Sequence, residues 1–377
     1  MEDEYTDREQ SGIKHFALRK YLGPATRIIG SGWRGFTYVD CCAGPWESQS
    51  ADFSDTSFGI AVAILKEAEQ SLRDRGRNAK FKALLIEEKS SSYKLLAEFA
   101  RSATNDRVSV EARNWDFREH TDEIRRFVAN PKSFGFTFID PTGWTLAEIA
   151  GLEPLLRIEP GEVLINLMTS FIARFISNEA TKLEEVLGPG YRDIRTLSHE
   201  EKEDEAVRRY CDLIKRQGRF PYVCALPVMK HDQDAIHFYL IFATRNLKGV
   251  EVFKEVEKRT ERETEVVQAN KQQRARPNLD LFTPDVLFKR QERYQRLSER
   301  SKVNARRALD ALLDNKAIID YEECWAEAMQ FPAVYEQDLG DWLGAYERSG
   351  IIQVNGRAKP GEVLKRKSGH TITKVRP

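Results

Sequence analysis

The sequence lacks the features that mark membrane, secreted and uniformly basic proteins. It contains no stretch of about 18 consecutive apolar residues, so no segment is long enough to span a bilayer. Its five cysteines form no Cys-x-x-Cys pair, which argues against a disulfide framework and a zinc ribbon and favours a reducing cytoplasm. The acidic, polar N-terminus does not resemble a secretory or transit peptide. Lys and Arg (59) equal Asp and Glu (59), which excludes a blanket of basic charge.

The 377 residues are enough for two domains at about 100–200 residues each. Helical patterns, for example at 60–76 and 92–103, alternate with short runs rich in β-branched and aromatic residues. The runs that we predict as strands are 36–44, 82–90, 108–117, 134–141, 162–168 and 237–246. This alternation predicts an α/β fold with a mostly parallel, doubly wound sheet of the Rossmann-like type.

The domain organisation follows from a change of composition near residue 250. We predict a Rossmann-like domain over 1–255 with a helical insertion around 176–219. Residues 256–282 are almost all charged or amide, which predicts a charged linker. Residues 283–377 show helical patterns followed by two β-rich segments, the order of a winged helix-turn-helix domain.

The first predicted strand ends in an acidic residue followed by small ones. The candidate cofactor-binding residues of this turn are Asp40, Cys42, Ala43, Gly44 and Trp46. Small side chains let the backbone come close to a nucleotide-like cofactor, and the next helix presents free N–H groups to it. Turns of this composition also occur for packing alone. No basic or histidine neighbour lowers a thiol pKa, so Cys41 and Cys42 are interpreted as small buried residues.

Acidic residues also follow the second, third and fourth predicted strands. Glu87 is placed to accept both hydroxyls of a ribose, or else simply begins the next helix. Asp116 is a candidate acceptor for the amino group of an adenine. Pro141 ends the fourth strand, so Asp140 is expected to point into the crevice at the carboxyl edge of the sheet. The run from Asp140 to Trp144 resembles the Asp-Pro-Pro-Tyr loop of amino methyltransferases, in which the acidic residue binds the target amine and the aromatic stacks a flipped base.

Other polar residues have competing interpretations. Arg174 and Arg245 follow predicted strands and are candidates for phosphate contacts or for sheet-edge ion pairs. Lys14, with its basic neighbours before the first strand, is interpreted as part of a solvated helix face. His231, Asp232, Asp234 and His237 are metal-type ligands but sit between two predicted strands, where polar residues build a turn, so no metal site is predicted.

Together these residues resemble the three-Cys-motif partner proteins, a bacterial and phage-associated family with a methyltransferase-like domain. The resemblance spans nearly all of residues 10–255 and is carried by KHFALRKYL (14–22), YVDCCAGPW (38–46), LLIEEKSSSYKLL (84–96), FTFIDPTGW (136–144), INLMTSFIARF (165–175) and FYLIFATRNLKGVEVFK (238–254). It implies S-adenosylmethionine as the cofactor and a radical-SAM-like three-Cys-motif protein, encoded nearby, as a partner. In the family's first loop Gly, Phe and Gly stand where this sequence has Cys41, Cys42 and Trp46.

The resemblance predicts a cytoplasmic methyltransferase that acts on nucleic acid, with phage defence as one biological setting. Asp40, Gly44 and Glu87 would contact the cofactor, Asp116 would reach its adenine, and Asp140 and Trp144 would act on the methyl acceptor. The altered first loop leaves open a catalytically silent methyltransferase fold that binds nucleic acid or protein. A metal-dependent nuclease is a third alternative.

Charge in the C-terminal part is segregated along the chain. Residues 286–308 hold eight basic and two acidic side chains, 309–347 hold one basic and ten acidic, and 348–377 hold eight basic and one acidic. A helix of the middle, acidic segment would repel phosphates, so nucleic-acid contacts are expected from the first helix and the wing. The candidate residues are Arg290, Arg293, Lys365, Arg366 and Lys367.

Overall fold

The computed structural model describes residues 9–44, 48–141, 151–169, 196–230, 233–275, 292–357, 359 and 362–375. Seven strands of the N-terminal part form one sheet in the order β3-β2-β1-β4-β5-β7-β6. The strands are β1 (Gly35–Asp40), β2 (Lys80–Ile86), β3 (Val108–Arg113), β4 (Ser133–Ile139), β5 (Gly161–Met168), β6 (Tyr222–Met229) and β7 (Ile236–Thr244). The first five pair in parallel, whereas β7 is antiparallel to both β5 and β6. The predicted α/β fold with a mostly parallel sheet is therefore confirmed.

All six predicted strands are present, and β6 is the strand that the sequence patterns did not single out. It contains Pro227, which lacks the N–H needed in the interior of a sheet. β6 lies at the edge of the sheet and pairs only with β7, so the missing donor interrupts no second ladder. A proline that argues against a central strand is thus compatible with this edge position.

Helices cover both faces of the sheet, as the unbroken apolar strands require. The helices up to residue 275 are α1 (Glu9–Gly32), α2 (Ser57–Arg73), α3 (Ser90–Ala103), α4 (Thr121–Val128), α5 (Glu153–Leu156), α6 (His199–Gly218) and α7 (Leu247–Ala275). One core joins alternate strand residues to α1, α2, α3 and α7, and the other joins the remaining strand residues to α4, α5 and α6. α6 covers the second half of the predicted insertion, and 170–195 lie outside the described residues.

The predicted linker at 256–282 begins inside a helix. α7 runs without a break from Leu247 to Ala275, and Val256 and Glu257 on it are buried. Its charged composition has a physical reason, because these side chains bond to the C-terminal part. Glu257 accepts a hydrogen bond from the Ala333 N–H at 2.7 Å, and Glu261 accepts one from the Tyr335 hydroxyl at 2.9 Å.

The C-terminal residues form a separate α/β module that packs against α6 and α7. Its elements are α8 (Glu292–Asn315), β8 (Ile318–Asp320), α9 (Tyr321–Ala328), α10 (Glu336–Arg348), β9 (Ile352–Asn355) and β10 (Thr371–Lys374). The three strands make an antiparallel sheet in the order β8-β10-β9, and β8 is a short strand that the sequence patterns did not indicate. The module also covers the edge strand, since the Val223 N–H donates to the Gln330 side chain.

A buried arginine joins the module to α6. Arg293 exposes 2% of its side chain and donates to Asp204 at 2.7 Å, with Glu203 at 3.6 Å. Arg296 and Arg300, on the same side of α8, pair with Glu200 at 2.9 and 3.3 Å. Much of the basic charge of α8 is therefore neutralised inside the protein.

Two expectations that concern the whole chain have direct counterparts in the structure. All five cysteines are free thiols. Among the helices of the described residues, none combines the length and the apolar character that crossing a membrane requires.

We expect Arg293→Met to reduce the free energy of unfolding by about 3 kcal/mol, because Glu203 loses its ion pair and Asp204 keeps only Arg300. Urea unfolding monitored by circular dichroism measures the loss. The matched control is Arg296→Met, whose side chain is 41% exposed and whose removal should cost below about 1 kcal/mol. Equal losses for the two variants would contradict a docking role for Arg293.

Candidate active site

The strand order places two of the predicted acidic residues beside each other. The strand order reverses between β1 and β4, which are neighbours in the sheet. β2 and β3 lie beyond β1 on one side, and β5 lies beyond β4 on the other. Ligands of open α/β sheets bind outside the carboxyl ends of the strands at such a point of reversal. Asp40 ends β1 and Asp140 directly follows β4. The two carboxyl groups therefore flank the position where this architecture binds ligands.

Asp40 is completely buried, and both of its carboxylate oxygens accept hydrogen bonds from the protein. Its Oδ2 accepts hydrogen bonds from the Tyr38 hydroxyl at 3.0 Å and the Ser57 hydroxyl at 2.7 Å, and its Oδ1 accepts one from the Cys42 N–H at 3.2 Å. Burial raises the pKa of Asp40 to about 6, although these hydrogen bonds oppose the rise. Asp40 thus ties the first loop to the start of α2, which makes it a positioning residue.

Backbone N–H groups of the first loop also donate to the neighbouring strands β4 and β2. The Cys41 N–H donates to the Phe138 carbonyl at 2.9 Å, and the Ala43 N–H donates to the Ile86 carbonyl at 2.8 Å. Burial raises the pKa of the Cys41 and Cys42 thiols well above the ordinary value, so both are neutral. The interpretation as a small buried residue is confirmed for Cys41, whereas Cys42 is only partly buried. Gly44 ends the described part of the loop, and Trp46 lies outside the described residues.

Glu87 stands at the carboxyl end of β2 and is 5% exposed. Its Oε1 accepts a hydrogen bond from the Lys89 N–H at 2.6 Å. Burial raises the pKa of this carboxyl group. The Asn114 side chain donates to the backbone carbonyls of Glu87 and Glu88, both at 2.8 Å, and so fixes the loop that carries Glu87.

Asp116 is bound by a neighbouring arginine. Its two carboxylate oxygens accept hydrogen bonds from Arg118 at 2.6–3.0 Å, and these bonds lower the pKa of Asp116. Trp115 stacks on His120 with ring centroids 4.7 Å apart and planes 4° apart. A ligand amino group at this position would have to compete with Arg118 for the carboxylate.

Asp140 is held by two residues that sequence patterns did not assign to the site. Its Oδ1 accepts a hydrogen bond from the Asn166 amide at 2.7 Å, and its Oδ2 pairs with the Lys14 ammonium. The side chains of Lys14 and Asp140 are each 16% exposed. The interpretation of Lys14 as part of a solvated face is therefore wrong, because α1 lies over the β4–β5 face and delivers Lys14 to the crevice. Trp144 lies outside the described residues.

The predicted phosphate-contact residue Arg245 lies at the other end of the sheet. It follows β7, which runs antiparallel to its neighbours, and donates to the backbone carbonyls of Gly161 and Gly218 at 3.0 and 2.6 Å. Its guanidinium also stacks 4.0 Å from the centre of the Phe220 ring. Arg245 is thus structural, whereas Arg174 lies outside the described residues.

The five predicted nucleic-acid residues fall into different environments. Arg293 is buried against α6, so it is not available as a surface contact. Arg366 is 11% exposed, pairs with Glu251 at 2.7 Å and stacks over Trp325 at 4.3 Å. Lys365 and Lys367 are exposed. Arg290 lies outside the described residues.

His231 and Asp232, two of the metal-type ligands of the predicted turn, lie outside the described residues. In the ranges that the structure describes, no group of three or more His, Cys, Asp or Glu side chains is arranged to hold a metal ion.

Comparison with solved structures shows a structural likeness, whereas the sequence comparisons find none. No protein-family model and no curated protein matches the sequence. A solved structure of loganic acid methyltransferase with SAH is similar at 11% sequence identity and a TM-score of 0.32, over 70% of this chain and 89% of that chain. A likeness of this degree carries no functional information.

The raised pKa of Asp40 makes a testable contribution to stability. Its pKa is about 6 in the folded protein against 3.8 for an unperturbed carboxyl group, so the folded state binds the proton more tightly. Folding stability contributed by this group is therefore present below pH 4 and is lost as pH rises towards 6, by on the order of 3 kcal/mol. Asp40→Asn should remove this loss. Urea unfolding of both proteins from pH 4 to 7 measures it.

The control for this experiment is Asp106→Asn at an exposed position, which should leave the wild-type pH profile unchanged. Parallel profiles for the wild type and Asp40→Asn would show that Asp40 titrates normally.

Proposed function

We propose that this protein is an S-adenosylmethionine-dependent methyltransferase whose cofactor lies at the carboxyl ends of β1, β2 and β3. The observation that carries the proposal is the placement of Asp40 and Asp140 on either side of the strand-order reversal, with Glu87 at the end of the next strand. Fold alone does not define an activity, so the assignment depends on these side chains.

The residues at the strand ends fit a ribose-bearing cofactor in one respect. Glu87 places a carboxyl group at the carboxyl end of β2, where ribose hydroxyls would donate. Bound S-adenosylmethionine would supply an electrophilic methyl group. Asp40 would act indirectly by holding the first loop and α2 in register, and Asp140, clamped by Lys14 and Asn166, would orient the methyl acceptor. Catalysis would then come mainly from proximity and orientation.

A second candidate function, a catalytically silent methyltransferase fold, is favoured by the first loop. The N–H groups of Cys41, Cys42 and Ala43 all donate to protein acceptors, which leaves the loop few donors for a ligand. In that case the fold would serve as a scaffold for binding nucleic acid or a partner protein, such as the radical-SAM-like protein that the family resemblance implies.

Nucleic acid is the acceptor or ligand that we propose, bound through a C-terminal module of the winged-helix type. The order α8, β8, α9, α10, β9 and β10 with a three-stranded antiparallel sheet supports this assignment. Lys365 and Lys367, between β9 and β10, are exposed cations of the kind that bind phosphates. Arg293 and Arg366 are not part of this proposal, because internal carboxylates hold them.

Calorimetry with S-adenosylmethionine and its demethylated product tests the cofactor assignment. Glu87→Ala should weaken cofactor binding about 10- to 100-fold, because hydrogen bonds to a charged group are worth about 1.5–3 kcal/mol. The matched control is Glu88→Ala, whose side chain is 68% exposed and which should bind as the wild type does. No binding by the wild type at millimolar cofactor would refute the methyltransferase and leave the silent scaffold.

Substitution of the two exposed lysines tests the nucleic-acid proposal. Lys365→Ala combined with Lys367→Ala should weaken binding to a DNA or RNA duplex and reduce the slope of log affinity against log salt by about 1–2. Fluorescence anisotropy at several salt concentrations measures both effects. Lys316→Ala, on the same module and ion-paired to Glu323, is the control. An unchanged salt slope in the double variant would exclude this surface.

A further inference from the structure

A buried acceptor atom at the end of β5 has no hydrogen-bond partner among the described residues. Asn166 is 4% exposed, and this atom is its side-chain Oδ1. Asn166 Oδ1 is one of several such buried polar atoms in the described residues, and it is the one next to Asp140 at the carboxyl edge of the sheet, where ligands of such sheets bind. Asn166 sits one residue beyond Ile165, which pairs with Ile139 of β4, so it is the lateral neighbour of Asp140.

The orientation of the Asn166 amide follows from Asp140. A carboxylate only accepts hydrogen bonds, so the amide must turn its Nδ2 towards Asp140 Oδ1, as the 2.7 Å distance records. A flipped amide would set two oxygens against each other. The Oδ1 of Asn166 therefore has to face away from Asp140. The hydrogen bond to Asp140 fixes the amide in this orientation, so the amide does not rotate freely.

Among the described residues, the hydroxyl groups of Thr169, Tyr38 and Ser57 already donate to other acceptors. The Thr169 hydroxyl donates to the carbonyls of Ile236 and His237 at 2.9 and 3.0 Å. The Tyr38 and Ser57 hydroxyls donate to Asp40. Lys14 uses one of its three N–H donors on Asp140, and an ammonium group thus keeps two for another group.

The charges of the crevice select the kind of group that fits. Lys14 and Asp140 neutralise each other, and Asp40 lies nearby with its oxygens occupied. An anionic group would meet two carboxyl groups, and a cationic group would meet the Lys14 ammonium. A neutral group with an N–H donor beside a hydrogen-bond acceptor would satisfy both Asn166 Oδ1 and the remaining Lys14 donors.

We infer that Asn166 Oδ1 and Lys14 Nζ together bind a neutral amide or amidine group of the methyl acceptor, and that Asp140 acts as the residue that positions both. The inference rests on the proposed function and deepens it, since it assigns the contact with the acceptor's amino group to Asn166 instead of Asp140. Two sources share this chemistry: the amino-bearing edge of a nucleobase such as cytosine, and a primary carboxamide.

Ligand-observed NMR on the full-length protein tests the inference with two probe pairs. Cytidine is compared with the pyrimidinone riboside that lacks the amino group, and nicotinamide with methyl nicotinate. We expect the donor-bearing member of at least one pair to bind at least tenfold more tightly than its partner. Preference within the first pair indicates a nucleobase, and preference within the second indicates a carboxamide.

Variants separate ligand binding from a structural role. Asn166→Leu removes the amide at nearly constant size, and we expect it to abolish the preference within the probe pair, with a small fall in melting temperature from the lost hydrogen bond to Asp140. Lys14→Met should weaken the preferred probe at least tenfold. Lys20→Met, on the same helix and outside the crevice, should leave it unchanged.

The outcomes distinguish this inference from the proposed function. Affinity for the demethylated cofactor is measured in parallel and should be the same in Asn166→Leu as in the wild type. Cofactor binding without any preference within the probe pairs, or a preference that survives Asn166→Leu, overturns the inference and leaves the methyltransferase standing. Probe preference without cofactor binding would overturn the methyltransferase and keep the amide site. An intact probe preference in Asn166→Leu together with a lower melting temperature shows that Asn166 acts only through its hydrogen bond to Asp140.

Discussion

The parallel pairing of β1 with β4 is the constraint on which the rest of the site depends. Because the sheet continues in opposite directions from these two strands, their carboxyl ends border a crevice that no further strand fills. Asp40 and Asp140 are thereby brought together although a hundred residues separate them. The two then differ by environment, since Asp40 is enclosed by Tyr38, Ser57 and the loop backbone, whereas Asp140 remains partly exposed beside Lys14.

Helix α1 completes the site by crossing the same face of the sheet. Two polar contacts seven residues apart, about two helical turns, fix it against β4 and β5. Lys14 pairs with Asp140 at the carboxyl end, and the Tyr21 hydroxyl donates to the buried Glu162 at 2.5 Å nearer the other end. Burial raises the pKa of Glu162 to about 7. A segment that precedes the sheet in the chain thus supplies one of its site residues.

Sequence patterns identified the strand ends well and the partners of their side chains poorly. Asp40, Glu87 and Asp140 lie at carboxyl ends because apolar runs and prolines delimit strands locally. The phosphate interpretation of Arg245 was wrong because periodicity does not reveal that β7 is antiparallel, whereas its alternative, a sheet-edge ion pair, is present with Glu159 at 3.9 Å. Lys14 and Asn166 were missed for a related reason. A lysine on a helix and an asparagine in an apolar strand become a site only when the helix crosses that strand, and no local pattern encodes the crossing.

The amino-acid sequence by itself determined that the chain has a balanced charge, an alternating α/β pattern and acidic residues after successive strands. Only the tertiary structure decided what those charges do. Arg293 and Arg366, which a linear count assigns to a basic binding surface, are paired with Asp204 and Glu251 from helices far away in the chain. The physical reason is that packing α8 against α6 removes Arg293 from water. A cation buried in this way is stable only when a carboxylate pairs with it.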